Sequence, residues 1–105
     1  MDKENIKKIA EYYGLESQSR QLFEEMAELT VSISKYMRFS ENNEDTPSSH
    51  LDGDYYLFGI MEEIADVTVM IEQIKYLLNL DDLIIDDLIK NKINRQLKRI
   101  EKEKK

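Results

Sequence analysis

The sequence predicts an all-α fold, a four-helix bundle assembled as an oligomer. Apolar residues recur at helical spacing through four successive segments, and no stretch alternates with the period of a strand. Only three glycines and one proline occur among the 105 residues, too few for a turn-rich β fold. A chain of this length makes one domain, residues 1–105, with a modest core.

The first helix is expected over Asp2–Tyr13, where Ile6, Ile9, Ala10 and Tyr13 share one face and Gly14 stands where a helix stop belongs. Ser17 or Ser19 caps a second helix running to about Arg38, with Leu22, Met26, Leu29, Ile33 and Met37 as its core face. The pattern then gives way to FSENNEDTPSSHLDGD, Phe39–Asp54, a polar loop expected to act as a lid or binding segment. A third helix over Tyr55–Asn79 buries Ile60, Ile64, Val67, Ile71, Ile74 and Leu78. Phe58, Val69 and Tyr76 on its other side make it apolar nearly all round, so it is central or covered by another subunit. Asn79 or Asp81 caps the fourth helix, whose stripe is Ile85, Ile89, Ile93, Leu97 and Ile100. The chain finishes in a basic tail, 98–105, whose charges suit a helix C-terminus.

The formal net charge of −7 argues against a nucleic-acid partner. With no cysteine, thiolate nucleophiles and Cys-based zinc sites are excluded. The charged start MDKENIKK lacks the apolar run of a signal peptide, and no apolar stretch reaches the length of a membrane span. A cytoplasmic protein without membrane partners is expected.

The most informative feature is a near-repeat. LFEEMAELTVSI, Leu22–Ile33, returns as IMEEIADVTVMI, Ile60–Ile71. Each copy holds two adjacent glutamates and a third carboxylate three residues on: Glu24, Glu25 and Glu28, then Glu62, Glu63 and Asp66. At about 100° per residue, Glu25 and Glu28 lie along one edge of the core stripe, and Glu63 and Asp66 repeat that placement. Glu24 and Glu62 point away. Antiparallel packing, within one chain or across a dimer, brings the two pairs together, and four crowded carboxylates repel unless a cation lies between them. Oxygen-only donors select a hard ion, Mg²⁺ or Mn²⁺, and Mg²⁺ commonly bridges to phosphates. The plainer reading of either copy alone is a solvated acidic face.

Glu-Glu-x-x-Glu on one helix and Glu-x-x-Asp on the next resembles the MazG-like all-α nucleoside triphosphate pyrophosphohydrolases, especially the small single-domain, often phage-borne members. EEMAELTVSISKYMR, EEIADVTVMI and KINRQLKRIEK carry the likeness over roughly residues 18–102. The resemblance implies a homodimer or homotetramer that hydrolyses an NTP or dNTP to the monophosphate and pyrophosphate, through in-line attack of a metal-activated water. By position, Glu25, Glu28, Glu63 and Asp66 would be the Mg²⁺ ligands, with Mn²⁺ as a substitute, and Glu24 would orient ligand or water. Lys92 and Arg95 would meet the phosphates. The separation between the motifs is longer than usual for that family, and the excess is the polar loop.

Other chemistries fit less well. Ser32 and Ser34 have no histidine partner, and the single histidine, His50, is placed in the loop, so a di-iron bundle built on Glu-x-x-His lacks its ligands. LDGD at Leu51–Asp54 lacks the spacing of a calcium-binding hand. The alternative from another class is a non-enzymatic helical oligomerisation or adaptor module whose acidic stripe is a partner surface or a decayed active site.

Overall fold

The computed structural model describes residues 1–42 and 49–104. Over these the chain is all-helical, with three helices rather than four and no strand: α1 (Lys3–Asn42), α2 (Ser49–Leu77) and α3 (Asp82–Lys104). No helix among the described residues is long and apolar enough to cross a membrane.

The count differs because Gly14 kinks a helical run instead of ending it. Its φ of 87° and ψ of 169° are non-helical, yet helix continues directly on both sides. Ser17 therefore lies within α1, where its hydroxyl donates to Gln18 Oε1 at 3.1 Å, and caps nothing. That backbone conformation is open to glycine and strained for residues carrying a Cβ. No side chain stands within 4 Å of where the Cβ would fall, so the strain of a substitution is purely conformational. Gly14→Ala is accordingly expected to lower unfolding free energy by about 1–3 kcal/mol in urea titration. An unchanged midpoint would show that the kink is not required.

The ends of the helices reflect local chemistry. Asp2 opens α1, accepting from the Asn5 backbone N–H at 3.2 Å and from the Asn5 side-chain amide at 2.6 Å. At the end of α2, Asn79 adopts a left-handed φ of 52°. The Leu80 N–H donates to Lys75 C=O at 2.9 Å and the Asn79 N–H to Tyr76 C=O at 3.1 Å, a Schellman closure. Asp81 then caps α3 by accepting from the Leu83 N–H at 2.8 Å. Of the two expected caps, Asn79 ends one helix and Asp81 begins the next.

Helices α1 and α2 form an antiparallel hairpin. The less exposed positions advance in steps of three and four: Gln18, Leu22, Glu25, Leu29, Ser32, Tyr36 and Phe39 on α1, and Tyr56, Ile60, Glu63, Val67, Met70, Ile74 and Leu77 on α2. This is the spacing of a two-helix seam. At one end Phe39 meets Tyr56, ring centroids 5.1 Å apart. Nearer the other, Gln18 donates to Gln73 at 2.7 Å, both side chains buried. The Tyr76 hydroxyl donates to the Glu11 carboxylate, whose charge pushes the phenol pKa up.

The expected polar loop is shorter than the sequence indicated. Residues 39–42 continue α1 and 49–54 begin α2, because the Phe39–Tyr56 pairing extends the seam. Residues 43–48, with Pro47, lie outside the described ones. The backbone of His50 belongs to the first turn of α2.

The expected core faces are only half covered. Met26, Ile33 and Met37 on α1, with Ile64, Ile71 and Leu78 on α2, remain exposed. Helix α3 contacts the hairpin at the turn, where Lys75 bridges Glu72 at 2.9 Å and Asp82 at 2.6 Å, and packs along neither α1 nor α2. The ion pair with Asp82 pushes the Lys75 pKa up to about 12 and holds Asp82 below the usual carboxylate range.

Candidate functional site

The near-repeat folds onto itself across the seam. Antiparallel pairing brings the first EE-x-x-E segment of α1 against the E-x-x-D segment of α2 within one chain. Glu25, Glu28 and Glu63 each place a carboxylate oxygen within 4.8 Å of the other two. Glu25 and Glu63 occupy seam positions that an ordinary helical hairpin fills with leucine or isoleucine. Glu28 lies at the exposed edge.

The electrostatics record the crowding. Partial burial, contact with the Glu25 carboxyl, and the charges of Glu28, Glu25 and Asp66 together raise the Glu63 pKa from 4.5 to about 7. Asp66 is also pushed up, by desolvation first and then by the adjacent Glu25. Asp66 thus joins the same electrostatic cluster from one turn further along α2. Glu25 accepts from the Gln21 side-chain amide at 2.8 Å through Oε1, which orients its carboxylate. Its Oε2 and the Oε2 of Glu63 are buried without a hydrogen-bond partner. Buried acceptors left in this state are costly, and a cation or a shared proton is the usual remedy.

The site face continues beyond the carboxylates. Ala27, Glu28, Val31, Ser32, Lys35 and Glu63 line a hollow of about 290 Å³. Ser32 and Lys35 also line the adjoining open cleft of about 650 Å³, with Arg38, Phe39, Asn42, Tyr55, Tyr56, Phe58, Gly59 and Glu62. One groove therefore carries carboxylates at one end, cationic side chains in the middle and aromatic rings toward the other. Sequence reasoning missed Lys35 and Arg38, although SKYMR comes directly after the first acidic segment. The signal was their helical spacing from Glu28, since Lys35 lies seven residues, two turns, beyond it on the same face.

Other expected site residues fall elsewhere. Glu24 is exposed on α1 and stands outside the cluster, and Glu62 lines the aromatic cleft. Lys92 and Arg95 are exposed on α3 and are not brought to the carboxylates within a single chain.

Comparison with protein-family models, curated proteins and solved structures finds no match for this chain. The likeness to MazG-like enzymes therefore rests on the paired acidic motifs and their flanking residues.

Proposed function

We propose that the protein is a metal-dependent nucleoside triphosphate pyrophosphohydrolase of MazG-like type, converting an NTP or dNTP to the monophosphate and pyrophosphate. The observation that carries this reading is the convergence of Glu25, Glu28 and Glu63 across the seam, with two buried carboxylate oxygens lacking any hydrogen-bond partner. An oxygen-only donor set of this charge suits Mg²⁺, with Mn²⁺ as a substitute. Glu25, Glu28 and Glu63 would hold the ion and Asp66 would complete the set. When bound, the ion supplies charge neutralisation for the triphosphate and lowers the pKa of a coordinated water.

The remaining work falls to the chain. Gln21 fixes the Glu25 carboxylate through the 2.8 Å hydrogen bond. Lys35, in the hollow beside Glu28, is placed to meet phosphate oxygens, with Arg38 further along the groove. Tyr55, Tyr56 and Phe39 offer ring faces to a planar base. This arrangement answers how an acidic chain accommodates a polyanion: cationic side chains share the carboxylate face.

The test is a panel of NTPs and dNTPs with Mg²⁺ or Mn²⁺, read out as pyrophosphate. Release that stops on chelation with EDTA and returns with added metal is the expected result. EDTA-insensitive release, or none with any nucleotide, would overturn the reading. The unpartnered length of α3 favours a second reading, a helical oligomerisation or adaptor module. Thermal stabilisation by Mg²⁺ with nucleotide belongs to the enzyme and not to the adaptor.

A further inference from the structure

We infer that a second copy of this chain covers the apolar face of the hairpin and the stripe of α3. The inference stands independently of what the carboxylates bind.

The hairpin has two unlike faces. Helical periodicity puts Glu28, Lys35 and Asp66 on one side of the seam. Met26, Ile33 and Met37 of α1 and Ile64 and Ile71 of α2 fall on the other side. These apolar side chains are about half exposed, Met26 and Ile64 at 50% and Ile71 at 42%. Helix α3 repeats the situation with Ile89, Ile93 and Leu97, and no residue of it is buried. Among the described residues, the buried hydrophobic side chains are Ala10 and Met70. Two such residues do not make a core that offsets the entropy of ordering the chain.

The surface area says how much is missing. The accessible surface is 8680 Å². A compact monomer of 12.5 kDa exposes roughly 6200 Å². The surplus, roughly 2500 Å² per chain, exceeds the roughly 800 Å² per partner of a standard interface and falls in the obligate class. The radius of gyration agrees, at 18.1 Å against roughly 13 Å for a compact domain of this length.

Two features identify the occupant. Helix α3 is held away from its own hairpin by the Schellman closure at Asn79, the Asp81 cap and the Lys75–Asp82 ion pair. Its apolar stripe must therefore be covered from outside the chain. Charge points to this same sequence: residues 1–80 hold seven Lys and Arg against sixteen Asp and Glu, a formal −9, whereas residues 88–105 hold eight against two, a formal +6. The basic end of one copy's α3 complements the acidic hairpin of another. This docking leaves both carboxylate grooves facing outward, one per chain.

The chain contains no cysteine, so single-cysteine variants report cleanly on each face. Light scattering is expected to give a mass of at least two chains at micromolar concentration. Maleimide should react about tenfold more slowly with Ile71→Cys and Ile93→Cys than with Glu24→Cys, because covered sites react only through opening. Dilution should narrow that difference as the copies separate. A helical monomer with all three thiols equally reactive would overturn the inference. So would protection that persists in a monomer, which would mean that α3 folds back on its own hairpin. Circular dichroism of each variant confirms that the reactivities refer to folded protein.

Discussion

Glu63→Gln is expected to abolish pyrophosphate release and, without divalent cations, to raise the melting temperature. The two effects share one cause. Glu63 is held in a seam position beside Glu25, Glu28 and Asp66, and its pKa is raised to about 7. Between pH 4.5 and 7 the unfolded chain has lost this proton while the folded chain keeps it. Stability of the cation-free protein therefore falls as pH rises through that window and is fully present only below about 4.5. Asp66, shifted in the same direction, adds to the slope. Glutamine keeps the shape, removes the charge and removes most of the pH dependence. The same change removes a proposed metal ligand. Partners that merely support such ligands are worth about 10- to 100-fold, so activity should fall by more than about a hundredfold. Melts at pH 5 and pH 8, with and without Mg²⁺ and at one protein concentration, check the stability half. A wild type equally stable at both pH values without cation, or a glutamine variant less stable than wild type at pH 8, would count against the crowded-carboxylate account. Glu28→Gln should share the loss of activity.

The helical class was legible because period 3.6 is written along most of the chain, and the site was legible because EE-x-x-E and EE-x-x-D occupy equivalent registers. What could not be read was which part of each apolar face its neighbour covers. Leu22 and Met26 look interchangeable as core residues in sequence, yet the seam runs through Leu22 and Glu25 and leaves Met26 exposed. An apolar stripe wider than one neighbouring helix does not say which half that helix takes. Gly14 shows a related limit: a glycine after Tyr13 serves a helix stop and a kink equally well, and the residues beyond it make the choice by continuing the helix. Phe39 looked like the first residue of a loop because its partner, Tyr56, lies seventeen positions away. Lys92 and Arg95 were chosen by resemblance alone, and the helix that carries them leaves the hairpin.

The choice of cation yields the second large effect. Lys35→Met is expected to lower kcat/KM by about 10- to 100-fold, the range of one hydrogen bond to a charged group, about 1.5–3 kcal/mol. Lys35 lines both the carboxylate hollow and the aromatic cleft, so its ammonium stands where a triphosphate must pass between metal and base subsites. Methionine retains the length of the stem and loses only the charge. Lys92 and Arg95 lie on α3, and a second copy docked on the apolar face leaves α3 on the side opposite Glu28 and Lys35. Lys92→Met and Arg95→Met should then stay within about twofold of wild type, as surface substitutions do. Steady-state assays of the three variants at saturating Mg²⁺ decide the matter. Should Lys92→Met cost as much as Lys35→Met, α3 must reach the carboxylate face of a neighbouring chain. Mixing Lys92→Met with Glu28→Gln chains would then restore activity, because some hybrid sites would hold both an intact carboxylate cluster and an intact cation. The expected result is that no mixture exceeds the Lys92→Met activity, because each groove draws its phosphate-binding cation from its own α1.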